Sequence, residues 1–104
     1  MTLLSESERD EALRALSGWA YDQGRNGIAR SFRFGDFGEA FAFMTRVALE
    51  AEKADHHPEW SNVWDRVDIL LSTHSAGGVT ARDTDLARRI NLLAPTAASE
   101  SVDP

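Results

Sequence analysis

The apolar residues of this chain change period at Pro58. Before it, Phe37, Phe41, Met44, Ala48 and Ala51 recur at steps of three and four. That is one apolar helical face running for about five turns. After it, Trp60, Asn62 and Trp64 alternate with Ser61 and Val63. Val67, Ile69, Leu71 and Thr73 then alternate with Asp68, Leu70, Ser72 and His74. Alternation of this kind is the period of a strand. Proline disfavours the α conformation in the residue before it, so the helix must finish near Ala54 or Asp55. A helix therefore runs into the stretch from Glu52 to Trp60 and a strand leaves it. His56 and His57 lie in the bend between them.

The remaining segments fall into place around this junction. Ser5 and Glu8 have the spacing of a capping box, and Ala12, Leu13 and Leu16 follow at helical steps, with Gly18 as the stop. Trp19, Ala20 and Tyr21 alternate as a strand. Asn26-Gly27 is a strong turn signal. Ile28, Arg30, Phe32 and Phe34 then share one parity, which predicts a hairpin over 18–34. Asp36 and Glu39 start the second helix. Asp65-Arg66 predicts the tight turn of a second hairpin, whose return strand delivers His74. Thr80 and Asp83 fit the N-cap and third position of a last helix bearing Leu86, Ile90 and Leu93, and Pro95 stops it. The pattern is α-β-β-α-β-β-α. It predicts an α+β fold in which three helices cover one face of a four-stranded antiparallel sheet. The other face or an edge stays open for assembly. Residues 1–95 are expected to form a single domain, with 96–104 as a flexible, small and polar tail.

Composition narrows the function. The 104 residues hold no cysteine and carry a formal charge of −6. Disulfides and thiolate metal sites are excluded, and a cytoplasmic location fits. Nucleic-acid binding is disfavoured because phosphate contacts need clustered Lys and Arg, whereas these arginines are scattered. No apolar run is long enough for a transmembrane helix, and the first residues lack the basic and apolar regions of a signal peptide.

The chemistry rests on three histidines, His56, His57 and His74. Histidine exchanges its proton nearest neutral pH of all side chains, so three imidazoles meeting in one pocket point to acid–base catalysis. Asp55 or Glu52 is placed to orient an imidazole, and Pro58 and Trp60 are placed to wall a flat substrate. The competing interpretation is plain: adjacent histidines in a loop are commonly solvated, and a histidine at a strand end is commonly structural. A metal site is disfavoured, since there is no cysteine and no His-x-x-x-His pair on a helix. Nucleophilic catalysis is also disfavoured: Ser72 and Ser75 flank His74 without a Gly-x-Ser-x-Gly turn.

Glu52-x-x-x-His56-His57-Pro58-x-Trp60, an aromatic at Trp64, then Ser72-Thr73-His74 and Asp83 resemble the signature of the pterin-4a-carbinolamine dehydratases. Gly18-Trp19, Phe34-x-Asp36-Phe37 and the run from Phe43 to Ala48 extend the resemblance over roughly residues 3–94. It implies dehydration of 4a-hydroxytetrahydropterin to quinonoid dihydropterin and water, with no cofactor and no metal. The reaction would serve recycling of the pterin used by an aromatic amino-acid hydroxylase, the expected pathway partner. It implies a homodimer or homotetramer, with dimers joined through sheet edges. By resemblance, His57 binds centrally while His56 and His74 act as acids on the two faces of the ring. Asp55, Pro58, Trp60, Ser72, Thr73 and Trp19 join the histidines as substrate-binding residues, and Glu52 and Asp83 support them. For Asp83, capping its own helix is an equally good role. Two other classes compete: a dimerisation or assembly partner acting through its surface, and a pterin carrier without turnover. Relatives of the assembly type tend to lose parts of the histidine motif, which is whole here.

Overall fold

Side-chain caps fix where the helices begin. Ser5 and Glu8 bond reciprocally, Asp36 accepts the Glu39 N–H at 2.8 Å, and Thr80 and Asp83 form a second capping box. Each satisfies amide groups that the first helical turn leaves without partners. In the computed structural model, which describes residues 2–95, the elements run α1 (Glu6–Arg14), β1 (Ala20–Asp22), β2 (Gly27–Arg33), α2 (Phe37–Ala54), β3 (Glu59–Val63), β4 (Arg66–Leu71), a 3-10 turn (His74–Ala76) and α3 (Ala81–Leu93). The tail expected over 96–104 lies outside the described residues. The sheet is antiparallel throughout, in the order β1-β2-β4-β3. The α+β architecture and the element order are those the sequence predicts.

Register places the core on one face. Ile28 pairs with Leu71, Arg30 with Ile69 and Phe32 with Val67, and Trp60 continues the row beside Ile69. The apolar members of that row join Leu16, Phe43, Val47, Ala51, Leu86, Ala87 and Ile90 in one cluster. Phe32 and Phe43 lie with ring centroids 4.8 Å apart and are completely buried. Burying a side chain of this size contributes about 1.5–3 kcal/mol. Arg30 shares this face and is buried. Its guanidinium lies over the Phe32 ring and donates to the Ser17 carbonyl and to Asn91 of α3. Gly18, at φ +86°, is needed there: a Cβ would collide with the Arg30 guanidinium.

Four expectations need correction. The stripe Phe37, Phe41, Met44, Ala48, Ala51 is not the core face of α2: the buried residues are Ala40, Phe43, Val47 and Ala51, while Phe37 and Phe41 are more than half exposed. Helix α2 is apolar on two adjacent faces, and steps of three and four run equally well along either. The β3–β4 turn is Trp64-Asp65, with Trp64 at φ +52°, so Arg66 already belongs to β4. Helix α1 stops at Arg14 rather than running to Gly18, and β1 begins at Ala20, after Trp19. His74 lies not on the strand but in the turn just beyond it.

Candidate active site

The end of α2 sets the direction of the first two histidines. Asp55 takes the left-handed conformation, φ +51°, and its N–H bonds the Glu52 carbonyl at 3.2 Å. The His56 N–H reaches back to the Ala51 carbonyl at 3.1 Å. This doubly bonded left-handed ending reverses the chain sharply at the helix terminus. Arg82 of α3 fastens the same turn, its Nη2 donating to the carbonyls of Asp55 at 2.5 Å and Ala54 at 3.3 Å.

His56 turns inward. Its Nε2 lies 2.5 Å from Oδ1 of Asp83, a carboxylate with no exposed surface. The other oxygen of Asp83 accepts the Thr80 N–H and the Thr73 hydroxyl, each at 2.8 Å, and the two threonine hydroxyls lie 2.8 Å apart. Buried carboxylates are tolerated when both oxygens are hydrogen-bonded in this way. Asp83 therefore caps α3 and holds His56 at the same time.

His57 and His74 are exposed, and each has its own carboxylate. His57 Nε2 lies 3.0 Å from Glu52 Oε1, and His74 Nε2 lies 2.9 Å from Glu59 Oε2. The three imidazoles line one cavity of about 340 Å³, together with Asp55, Glu59, Leu70, Ser72, Thr73, Ser75 and Arg82. That volume is at the lower end of the roughly 300–1,000 Å³ usual for small-molecule sites. A larger hollow, about 630 Å³, lies on the open face of the sheet and is lined by no histidine. Among the described residues no three of His, Cys, Asp and Glu are grouped to hold a metal ion. No helix among them is long and apolar enough to cross a membrane.

The sequence-predicted residues divide accordingly. Asp55, His56, His57, Ser72, Thr73 and His74 line the cavity. Thr73 is buried with its hydroxyl committed to Asp83 and Thr80, and the Ser72 hydroxyl donates to the Asn26 carbonyl. Glu52 and Asp83 stand behind His57 and His56. Trp19 is not brought to the cavity: it is buried against Phe32, and its indole N–H donates to Asn91 at 2.7 Å. Pro58 and Trp60 are not among the lining residues either. Trp60 packs against the core cluster from β3. The sequence pattern does not mark Glu59, Arg82 or Thr80 as site residues. A lone acidic residue beside a proline and one arginine among several carry no pattern. Thr80 was visible only as a cap.

The chain is similar to known proteins over nearly its whole length. The family model for pterin 4 alpha carbinolamine dehydratase matches residues 2–93. A provisionally named pterin-4-alpha-carbinolamine dehydratase of Rhizorhabdus wittichii is 65% identical over 91 residues, covering 88% of this chain and 94% of that protein. Another from Rhodopseudomonas palustris is 60% identical over 91 residues, with 88% and 90% covered. The crystal structure of a transcriptional coactivator/pterin dehydratase from Brucella melitensis superposes with a TM-score of 0.87 at 55% identity, covering 90% of this chain and all of that one. The chain belongs to the pterin 4 alpha carbinolamine dehydratase family, whose reaction class is that of a dehydratase, a hydro-lyase.

Proposed function

We propose that this chain dehydrates 4a-hydroxytetrahydropterin to quinonoid dihydropterin by histidine acid–base catalysis. The observation that carries the reading is three imidazoles, each paired with its own carboxylate, around one cavity of small-molecule size. The 4a-hydroxyl leaves poorly until it is protonated. An imidazolium donates that proton, the carbon–oxygen bond breaks, and water departs. The ring nitrogen supplies the electron pair for the new double bond, and a neutral imidazole takes its N–H proton. The protons balance, and no oxidant or reductant is consumed.

The pairing suggests a division of work. An ionised carboxylate only accepts, so His56 directs its Nε2 proton to Asp83 and keeps Nδ1 for exchange. His57 and His74 have exposed rings and exposed carboxylate partners. His57 contacts the substrate centrally, while His56 and His74 serve as acids on opposite faces of the ring. The reaction would recycle the tetrahydropterin of an aromatic amino-acid hydroxylase in the cytoplasm, and the chain would work as a homodimer or homotetramer. Turnover of 4a-hydroxytetrahydropterin by the wild type and His57→Ala tests the reading. Loss of both binding and turnover in His57→Ala is expected; equal rates for the two proteins would overturn it.

A second reading, a surface-acting assembly partner, is favoured by Phe37, Phe41 and Leu49 of α2, whose side chains are more than half exposed. The Brucella melitensis relative is described as both coactivator and dehydratase. An intact dehydratase rate assigns this surface an additional role rather than an alternative one.

A further inference from the structure

The turn that carries His74 is held at both ends by a residue far away in sequence. Asn26 closes the β1–β2 hairpin in the left-handed conformation, φ +55°, which asparagine tolerates better than most residues. Its main-chain carbonyl accepts the Ser72 hydroxyl at 2.8 Å, just before the turn. Its side-chain amide donates to the Gly77 carbonyl, just after the turn. Its Oδ1 accepts the Tyr21 hydroxyl at 3.0 Å, and the Arg9 guanidinium lies 3.7 Å above the Tyr21 ring. The fit is close: a Cβ on Gly78 would lie 3.0 Å from Asn26 Oδ1. Between these two anchor points the turn is closed by its own backbone, through Thr73 and Gly78, and is tied to α3 where the Thr73 hydroxyl meets Asp83 and Thr80. The His74 side chain is exposed and hydrogen-bonds Glu59.

An exposed imidazole on a short turn has no packing to aim it, so its reach is set by where the turn is fixed. We propose that Asn26 is a positioning residue for His74, fixing the imidazole over the cavity and thereby setting activity toward the substrate stereoisomer that His74 serves. The proposal rests on the dehydratase reading above. Misplacing a catalytic group by a fraction of its working distance costs rate rather than substrate affinity.

The test compares wild type, Asn26→Gly, Tyr21→Phe and His74→Ala on each stereoisomer of 4a-hydroxytetrahydropterin. Glycine keeps the positive φ and removes the amide. Tyr21→Phe removes one bond to Asn26, keeps the ring under Arg9 and lies outside the cavity, so it reports even where Asn26→Gly folds poorly. Asn26→Gly is expected to lose up to roughly 100-fold in kcat, at similar KM, on the isomer that His74→Ala impairs. The other isomer should turn over at the wild-type rate. Tyr21→Phe should show the same bias more weakly, and Asn26→Gly combined with His74→Ala should be no slower than His74→Ala alone. The nuclear Overhauser contact between the His74 ring and Glu59 should weaken in Asn26→Gly. Wild-type rates on both isomers, or equal losses on both, would overturn the proposal. If His74→Ala is silent on both isomers, the catalytic reading of His74 fails. The proposal as a whole, which sets activity through His74, then falls with it, and the contact in Asn26→Gly shows separately whether Asn26 still positions the ring.

Discussion

His56 and Asp83 are 27 positions apart in sequence, yet Nε2 of the one sits 2.5 Å from Oδ1 of the other, and almost no solvent reaches the pair. The contact joins the end of α2 to the start of α3. Replacing Asp83 by Asn keeps the shape but gives a donor to a site that offers donors. Asp83→Asn is expected to lower stability by about 1–3 kcal/mol, the usual cost of a mismatched buried polar group. Thermal melting and turnover per folded molecule should both fall. Unchanged melting would show that the α3 cap does not depend on the carboxylate.

The two outer acids should be separable by substrate. His56→Ala and His74→Ala are each expected to lose about 10²–10⁴-fold on one stereoisomer and little on the other. On a racemic mixture each single loss should look smaller, and the double variant should lose far more than either. If His74 only satisfies its turn, His74→Ala will lower the melting temperature and leave both isomer rates per folded molecule intact.

Activity should survive exhaustive chelation, because protonated imidazoles supply the acid and no step calls for a Lewis acid. Inactivation that zinc alone reverses would contradict this.

A symmetric oligomer is expected at micromolar concentration. The edges of β1 and β3 carry unpaired backbone groups in the single chain, and Phe37, Phe41 and Leu49 present apolar surface on α2. Sedimentation showing monomer alone would count against it.

Glu50 gives a pH signature separate from catalysis. Hydrogen bonds first from Arg89 of α3 and then from Lys53 hold its carboxyl below the ordinary carboxylate range. A lowered folded-state pKa stabilises above the unfolded pKa, and that contribution disappears as pH falls through the folded value. Glu50→Gln should therefore flatten the acid side of the stability curve and leave neutral-pH turnover alone. Because the pair is solvent-exposed, the effect should be small and should shrink with salt.

What the sequence disclosed was local or periodic. Ser5 with Glu8, Asp36 with Glu39 and Thr80 with Asp83 are caps whose partners lie three residues away, and all three form as expected. Pro58 fixed the end of α2 to within a residue. What stayed hidden depended on three-dimensional neighbours. Nothing adjacent to Trp19 reveals that its N–H meets Asn91, or that Arg30 shares the same acceptor. Steps of three and four fit either apolar face of α2, so the pattern alone does not tell Phe37 and Phe41 from the buried Ala40 and Phe43. Glu59 and Arg82 enter the site only once the sheet and α3 are folded around it.

The double role of Asp83 limits how a chain of this kind can lose its chemistry while remaining folded. A substitution there removes a helix cap along with the imidazole's partner, so its first effect is on the amount of folded protein. His57, His74, Glu52 and Glu59 are exposed and support nothing else in the core. Drift toward a non-catalytic descendant that keeps its shape would therefore begin at those four positions. The buried pair would persist after the activity had gone, as a relic serving only the helix.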